Sequence, residues 1–214
     1  MTDMEIEHPL FTGDLIRLGP IQHEKDAEIE ARWTHDAEYL RMLDETPARP
    51  RSVSQVKRRY EEIEKEADEH HKLFYYTIRA RSGNSAGAII ADSGPSSYED
   101  RLVGFIQIYW IEWNHGNGWL KIGIGDPGDR CRGYGTEALG MVMRYAFTEL
   151  NLFRLSASVS SDNPVAMHVF KKAGFIEEVC LREAIRRDGN RYDLISLGIL
   201  RDEWVNGSTT RSSQ

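Results

Sequence analysis

The sequence predicts a single α/β domain built on a mixed, mostly antiparallel twisted sheet of about seven strands, with helices on its faces. Three observations lead there. The strand-like runs 73–80, 102–111 and 119–125 follow one another with no helical segment between them. Only 136–150 and 163–173 read as helices placed between later strands, so the regular strand–helix alternation of a doubly wound parallel sheet is missing. Near the C-terminus, Asp188-Gly189 joins two strand-like runs, the signal of an antiparallel hairpin. A length of 214 residues suits one elaborated domain, and 40% hydrophobic residues fill its core.

Residues 15–21 alternate and close on Gly19-Pro20, as a first strand does. Residues 23–32 and 36–43 are polar and helix-forming. Ser52 or Ser54 caps a third helix, 53–70, with Val56, Tyr60 and Ile63 on one stripe and Glu61-Glu62-Ile63-Glu64 on a solvated face. Residues 82–100 read as a loop around Ala88-Ile89-Ile90, an insertion within a hairpin that holds at most a strand fragment. The turn 114–118 then delivers the chain into the strand 119–125. After a basic glycine loop come a helix from about Thr136 to Leu150 and a strand, 152–159. Asn163-Pro164 opens the next helix and Gly174 ends it, with a capping side chain, proline in the first turn and glycine past the last. Residues 175–185 and 193–200 form the closing pair. The domain is expected to span 1–204, with 205–214 as a disordered tail.

A net charge of -7 and a pI near 5.5 argue against a general nucleic-acid binder, whose footprint is basic. Cys131 and Cys180 are too few for a disulfide framework or an all-cysteine zinc site, and they fit a reducing, cytoplasmic setting. The acidic N-terminus carries no signal-peptide pattern, and no run approaches about 18 apolar residues, so no membrane span is expected.

The stretch Arg130-Cys131-Arg132-Gly133-Tyr134-Gly135-Thr136 stands between a strand and a helix start. Its two glycines let the backbone approach a ligand without a Cβ in the way. The first amides of the helix lack intrahelical partners and point outward at the positive end of the dipole, which suits a phosphate. Arg130 and Arg132 add forked donors that match phosphate oxygens. The stretch reads as a pyrophosphate cradle. As Gly133-x-Gly135-x-x-Ala138 it also fits the dinucleotide fingerprint, with Asp162 downstream to hold a ribose. That fingerprint follows its strand almost directly, whereas residues 126–132 intervene here, and too little chain follows for a complete dinucleotide fold.

Read as Arg-x-x-Gly-x-Gly, Arg130 to Gly135 resemble the acyl-CoA pyrophosphate loop of the GNAT superfamily of N-acetyltransferases. The run Asn163-Pro164-Val165-Ala166-Met167-His168-Val169-Phe170-Lys171-Lys172-Ala173-Gly174-Phe175 resembles that family's Asn-x-x-Ala-x-x-x-Tyr-x-x-x-Gly-Phe helix. The resemblance extends from the first strand to about Trp204, and is nearest to the branch with the ribosomal-protein and spermidine acetyltransferases. It implies direct transfer of acetyl from acetyl-CoA to a primary amine, in a ternary complex and without a metal. The strand 119–125 would splay from 152–159 to open a slot for pantetheine. Backbone groups of Ile122, Gly123 and Ile124 would bond the pantetheine and polarise the thioester carbonyl, with Gly123 and Gly125 suited to the close approach. Arg130, Cys131, Arg132, Gly133, Tyr134, Gly135 and Thr136 would bind the pyrophosphate. Asn163 would reach the pantetheine arm or simply cap its helix. Phe170 would pack on the cofactor, with Lys171 or Lys172 near the adenosine phosphate.

Phe170 stands where the family often has Tyr, whose hydroxyl is the usual general acid for the departing thiolate. A thiolate of pKa about 8.5 is a tolerable leaving group at neutral pH, so water or another hydroxyl would replace it. The alternatives are a CoA-binding regulatory module without efficient turnover and, third, an NAD(P)-dependent enzyme. An amine acceptor is mostly ammonium at pH 7 and must lose a proton before attack. Glu112, His115 and Asp126 are the candidate bases, in that order. Trp33, Tyr39, Trp110 and Trp119 are available to line an acceptor pocket, and Asp36, Glu38, Asp44 and Glu45 to attract a cationic acceptor. That acceptor is a protein N-terminal amine, a polyamine or another small amine. A homodimer would pair through the long aromatic strand and the C-terminal hairpin.

Overall fold

The protein is described from a computed structural model, which covers residues 9–44, 46–81 and 100–211. The insertion at 82–99, Glu45 and the first eight residues lie outside the described residues. The elements in chain order are β1 (Ile16–Gly19), α1 (His23–Trp33), α2 (Ala37–Leu43), α3 (Val53–His70), β2 (Phe74–Ala80), β3 (Arg101–Glu112) and β4 (Asn117–Ile124). They continue as α4 (Tyr134–Thr148), β5 (Arg154–Ser160), α5 (Pro164–Ala173), β6 (Ile176–Arg187), β7 (Asn190–Leu200) and α6 (Arg201–Arg211). A 3₁₀ turn at Pro127–Asp129 precedes the glycine loop. The seven strands form one sheet in the order β1-β2-β3-β4-β5-β7-β6, antiparallel throughout except for β4 beside β5. The mixed, mostly antiparallel sheet expected from the sequence is therefore the one observed.

Local chemistry sets the element ends. Ser52 and Gln55 form a reciprocal capping box at the start of α3, which stops at His71 in the left-handed region (φ 50°). Asp188 and Gly189 are both left-handed, at φ 48° and 81°, as a two-residue hairpin turn needs. α4 buries Ala138, Leu139, Val142, Met143, Ala146 and Phe147 against one sheet face, where Ile78, Ile106, Ile108 and Leu155 complete the main core. α1 and α3 cover the other face through Ala27, Ala31, Val56 and Tyr60. Glu137 of α4 reaches β1: its carboxylate accepts the N–H groups of Asp14, Leu15 and Ile16 at 2.6, 2.9 and 2.9 Å.

Two expectations need correction. The tail is helical through Arg211, because Glu203 accepts the Leu200 N–H at 2.9 Å and the Trp204 ring packs 5.4 Å from Phe147. The polar composition of that tail concealed a helix anchored by one tryptophan. The aromatic strand β3 has β2 and β4 on its two sides and so no free edge for a partner. The edges are β1 and β6, the latter with Ile176, Val179 and Leu181 exposed.

Candidate active site

β4 and β5 pair at only three positions, Asn117 with Arg154, Gly118 with Leu155 and Trp119 with Ser156. Beyond these they part, β4 staying with β3 as far as Ile124 and β5 with β7 as far as Ser160. The Gly125 N–H donates to the Val103 carbonyl at 3.0 Å, so Gly125 faces β3. Alternation along the strand then turns the main-chain groups of Ile122 and Ile124 the other way, into the gap that β5 has left. A cavity of about 510 Å³ occupies this gap, walled by α2, β4, the glycine loop and α5.

The glycine loop forms one end of the cavity. Cys131 and Gly133 are both left-handed, at φ 61° and 88°, which folds main-chain amides into a concavity of the kind that binds anions. Gly133 is the N-cap residue of α4 and has no side chain to satisfy the first-turn amides. Asp36, Ser52 and Asn163 do perform that service for α2, α3 and α5. The start of α4 is thus left open to an external anion. A Cβ on Gly135 would lie 3.6 Å from Ile122, an ordinary contact, so the fold itself does not demand glycine there.

The two loop arginines have different surroundings from those expected. Arg130 is on the cavity wall, but its guanidinium donates to Asp36 at 2.9 Å and to the Gly125 carbonyl at 3.0 Å. It fastens the end of β4 to the start of α2 and is not a free phosphate ligand. Burial acts to raise the Asp36 carboxyl, yet the Tyr39 N–H and Arg130 together hold it below its ordinary range. Arg132 is exposed, outside the cavity wall, and its guanidinium has no hydrogen-bond partner among the described residues. Of the two, it is the one available to an anion at the rim.

On α5, Asn163 satisfies both of its readings: its Oδ1 accepts the Ala166 N–H at 3.0 Å, and the residue lines the cavity. Phe170 is buried, lines the cavity and meets Phe175 edge to face at 5.1 Å. Lys172 is exposed and Lys171 pairs with Glu177 at 2.7 Å; neither is on the cavity wall. Asp162 lines the cavity, held by Arg187 at 2.9 Å. Gly123 and Gly125 serve packing more than ligand approach. A Cβ at Gly123 would come within 2.6 Å of Leu43, and one at Gly125 within 2.0 Å of the Trp33 ring.

The family model for the acetyltransferase (GNAT) domain matches residues 16–176. The chain belongs to the GNAT acetyltransferase family. Among its relatives, a spermidine N(1)-acetyltransferase from Vibrio cholerae is 28% identical over 110 residues, 51% of this chain and 63% of that one. The uncharacterized N-acetyltransferase YnaD of Bacillus subtilis is 31% identical over 50% of this chain and 61% of its own. The match therefore spans under two thirds of the length of these two relatives. The prophage-derived uncharacterized N-acetyltransferase YokL of Bacillus subtilis is 27% identical over 91% of this chain and 94% of its own. The crystal structure of spermidine N-acetyltransferase from Vibrio cholerae in complex with CoA and spermine superposes with a TM-score of 0.71 at 18% identity. That superposition covers 91% of this chain and all (100%) of the other, a likeness of fold.

Within this GNAT fold the three candidate bases are not brought to the cavity. Glu112 lies opposite Asn117 and accepts its side-chain amide at 3.1 Å, at the end where β4 and β5 are still paired. His115 occupies the adjoining turn beside Asn114. Asp126 caps the 3₁₀ turn through the Gly128 N–H at 2.8 Å and points away into its own loop. Trp110 and Trp119 pack edge to face at the same closed end, and Trp33 is buried against Gly125. Of the four aromatics only Tyr39 lines the cavity. It is 4% exposed, and its hydroxyl is buried with no hydrogen-bond partner among the described residues. Burial first, and Glu30 second, push its acidity far beyond the ordinary tyrosine range, so it stays protonated. Asp36 caps α2 and sets Tyr39 in the first turn, facing β4, but only the tertiary structure reveals the unpaired hydroxyl.

Proposed function

We propose that the chain transfers an acetyl group from acetyl-CoA to a primary amine by direct attack in a ternary complex. The observation that carries this reading is the gap between β4 and β5 running into an uncapped helix start. The apolar walls from Ile122, Ile124, Val169 and Phe170 suit a pantetheine arm, while the amides at Gly133–Thr136, with Arg132 at the rim, suit a pyrophosphate. Acetyl-CoA supplies an acetyl group already activated as a thioester. Main-chain groups of Ile122 and Ile124 orient that group, and their donors face the oxygen on which charge develops during attack. Tyr39, on the α2 wall of the same cavity, is the hydroxyl we assign to the donor role that Phe170 cannot fill. Its raised pKa makes full proton release unfavourable, so it acts as a hydrogen-bond donor to carbonyl oxygen or departing sulfur. Glu38, exposed on the cavity wall, receives the ammonium proton, directly or through water. The amine nitrogen bonds to the acetyl carbon and the carbon–sulfur bond breaks; the second proton shed by that nitrogen passes to the departing sulfur, directly or through water, so that N-acetylated amine and CoA thiol leave.

Spermidine, named in relatives, heads the acceptor panel, followed by peptide N-termini and other small amines. We place the reaction in the cytoplasm; no helix of the described residues is long and apolar enough to cross a membrane. A second copy would pair along the free edge β6, and a monomeric mass in solution removes that idea.

The test is thermal unfolding with acetyl-CoA, CoA, NAD and NADP, on wild type and Gly135→Asp. A ligand at a hundred times its Kd adds about 2.7 kcal/mol of stability. Acetyl-CoA and CoA should raise Tm in wild type and not in Gly135→Asp, whose carboxylate would face the pyrophosphate. No rise with either CoA species sinks the reading, and a rise without thiol release on any amine converts it to a regulatory CoA-binding module.

A further inference from the structure

A second cavity, of about 80 Å³, lies on the α1–α2 side of β4 and shares Tyr39 and Leu43 with the larger one. Its charged walls are Glu30, Asp44, Arg49, Arg51, Arg59 and Lys121. Both carboxylates are already paired. Glu30 holds Arg59 and accepts the Tyr60 hydroxyl at 2.7 Å, and Asp44 holds Lys121 at 3.0 Å. Those pairs also occupy Arg59 and Lys121. Two guanidiniums are left, Arg49 and Arg51, and neither has an anionic partner among the described residues.

The main chain of Arg51 is fixed in place. Its N–H donates to the hydroxyl of buried Thr34 at 2.8 Å, and that hydroxyl donates to the Ala31 carbonyl at 2.7 Å. Burial, and after it the positive charge of Arg59, press the Arg51 guanidinium below its ordinary range. Glu30 and Asp44 offset this only in part, since each is already paired with another cation, and the guanidinium fork matches a planar carboxylate that would complete the balance. Of the acids that the sequence offered for a cationic acceptor, Asp36 is held by Arg130, Asp44 is shared with Lys121, and Glu38 is on the wall of the larger cavity.

We propose that this cavity binds a carboxylate on the acceptor itself, so that the acceptor is a small amine bearing an acidic group and not a polycation. The proposal rests on the acyl-transfer reading above. A carboxylate at Arg51 holds the acceptor on the α1–α2 side of β4, with pantetheine in the gap. Tyr39, common to both cavities, marks where amine and thioester meet. The small volume admits a carboxylate with its neighbouring carbons. A phosphate on the amine shares the same chemistry.

The test is acetyl-CoA turnover, followed by thiol release, on the standard amino acids, phosphoethanolamine, ethanolamine and spermidine. One or more carboxylate-bearing amines should exceed ethanolamine and spermidine at least tenfold in kcat/KM. Phosphoethanolamine ahead of every carboxylate assigns the site to phosphate and overturns the carboxylate assignment. Arg51→Gln should raise the KM of the preferred acidic acceptor about tenfold, leave kcat and the acetyl-CoA KM unchanged, and be partly rescued by Arg51→Lys. Calorimetry of the same amines into CoA-loaded protein reads the site without turnover. Preference for spermidine or ethanolamine, an equal loss on all acceptors in Arg51→Gln, or no binding of any acidic amine overturns the proposal. These results leave CoA binding untouched, whereas failure to bind CoA sinks the acyl-transfer reading instead.

Discussion

Replacing Tyr39 by Phe separates a catalytic hydroxyl from a structural one, because the two roles predict opposite signs in stability. The hydroxyl is buried without a partner among the described residues, so the folded state bears its desolvation cost with no hydrogen bond in return. Such an unsatisfied group costs roughly 1–3 kcal/mol. Phe keeps the ring and its edge-on contact with Trp33 at 6.0 Å, so deletion of the oxygen should stabilise the fold by about 1 kcal/mol. For a chain of this size that is a rise in Tm of roughly 2–4 °C. Loss of one donor to developing charge should meanwhile lower kcat about a hundredfold, with the acetyl-CoA KM within about twofold. Alkaline titration supplies a third reading. Tyr39 has its folded pKa raised, so its contribution is fully present below the unfolded value of about 10 and is lost as pH rises beyond it. Tyr39→Phe should therefore lose stability less steeply above pH 10 than wild type. A fall in Tm would show that the hydroxyl has a partner in the folded protein. An unchanged kcat would show that it donates nothing to the reaction.

Gly125→Ala should destabilise the protein by about 2 kcal/mol or more and lower Tm by at least roughly 4 °C, because the new Cβ meets three atoms of the buried Trp33 ring within 2.5 Å; an unchanged Tm would mean the ring moves freely. Asp129 carries an acid-sensitive contribution to stability. Its bond from Arg101, at 2.5 and 2.7 Å, outweighs burial and lowers its folded pKa. That stability is present above the ordinary carboxylate range and is lost as pH falls through the lowered value. Asp129→Asn should accordingly flatten the loss of Tm below about pH 4, and an identical acid limb in the two proteins would refute this.

What the sequence disclosed and what it hid divide along the range of the interactions involved. Ser52, Asn163-Pro164, Gly174 and Asp188-Gly189 act within a few residues of themselves, and the ends they mark fall where expected. The GNAT motifs lie within two short segments, so the loop at Gly133 and the wall at Phe170 were readable as well. Arg130 shows the opposite case. From its neighbours it looks like a phosphate ligand, but Asp36 stands 94 residues earlier and claims it. Glu112, in the sequence, ends a long strand beside the expected slot. The register of β3 on β4 puts that end against Asn117, where the slot is closed, and no local pattern reports a register. Gly123 and Gly125 look like ligand-facing glycines until Leu43 and Trp33 are seen pressed against them. The same logic explains why acceptor chemistry resisted a reading from composition. Asp36, Glu38 and Asp44 outnumber any cation in their own stretch, and a cationic acceptor follows if they are counted as free charges. Partners drawn from distant elements pair with Asp36 and Asp44, and among the described residues Arg49 and Arg51 are left without an ion-pair partner. On the proposed reading, the selectivity of this site follows from charges left over after folding, not from those written along the chain.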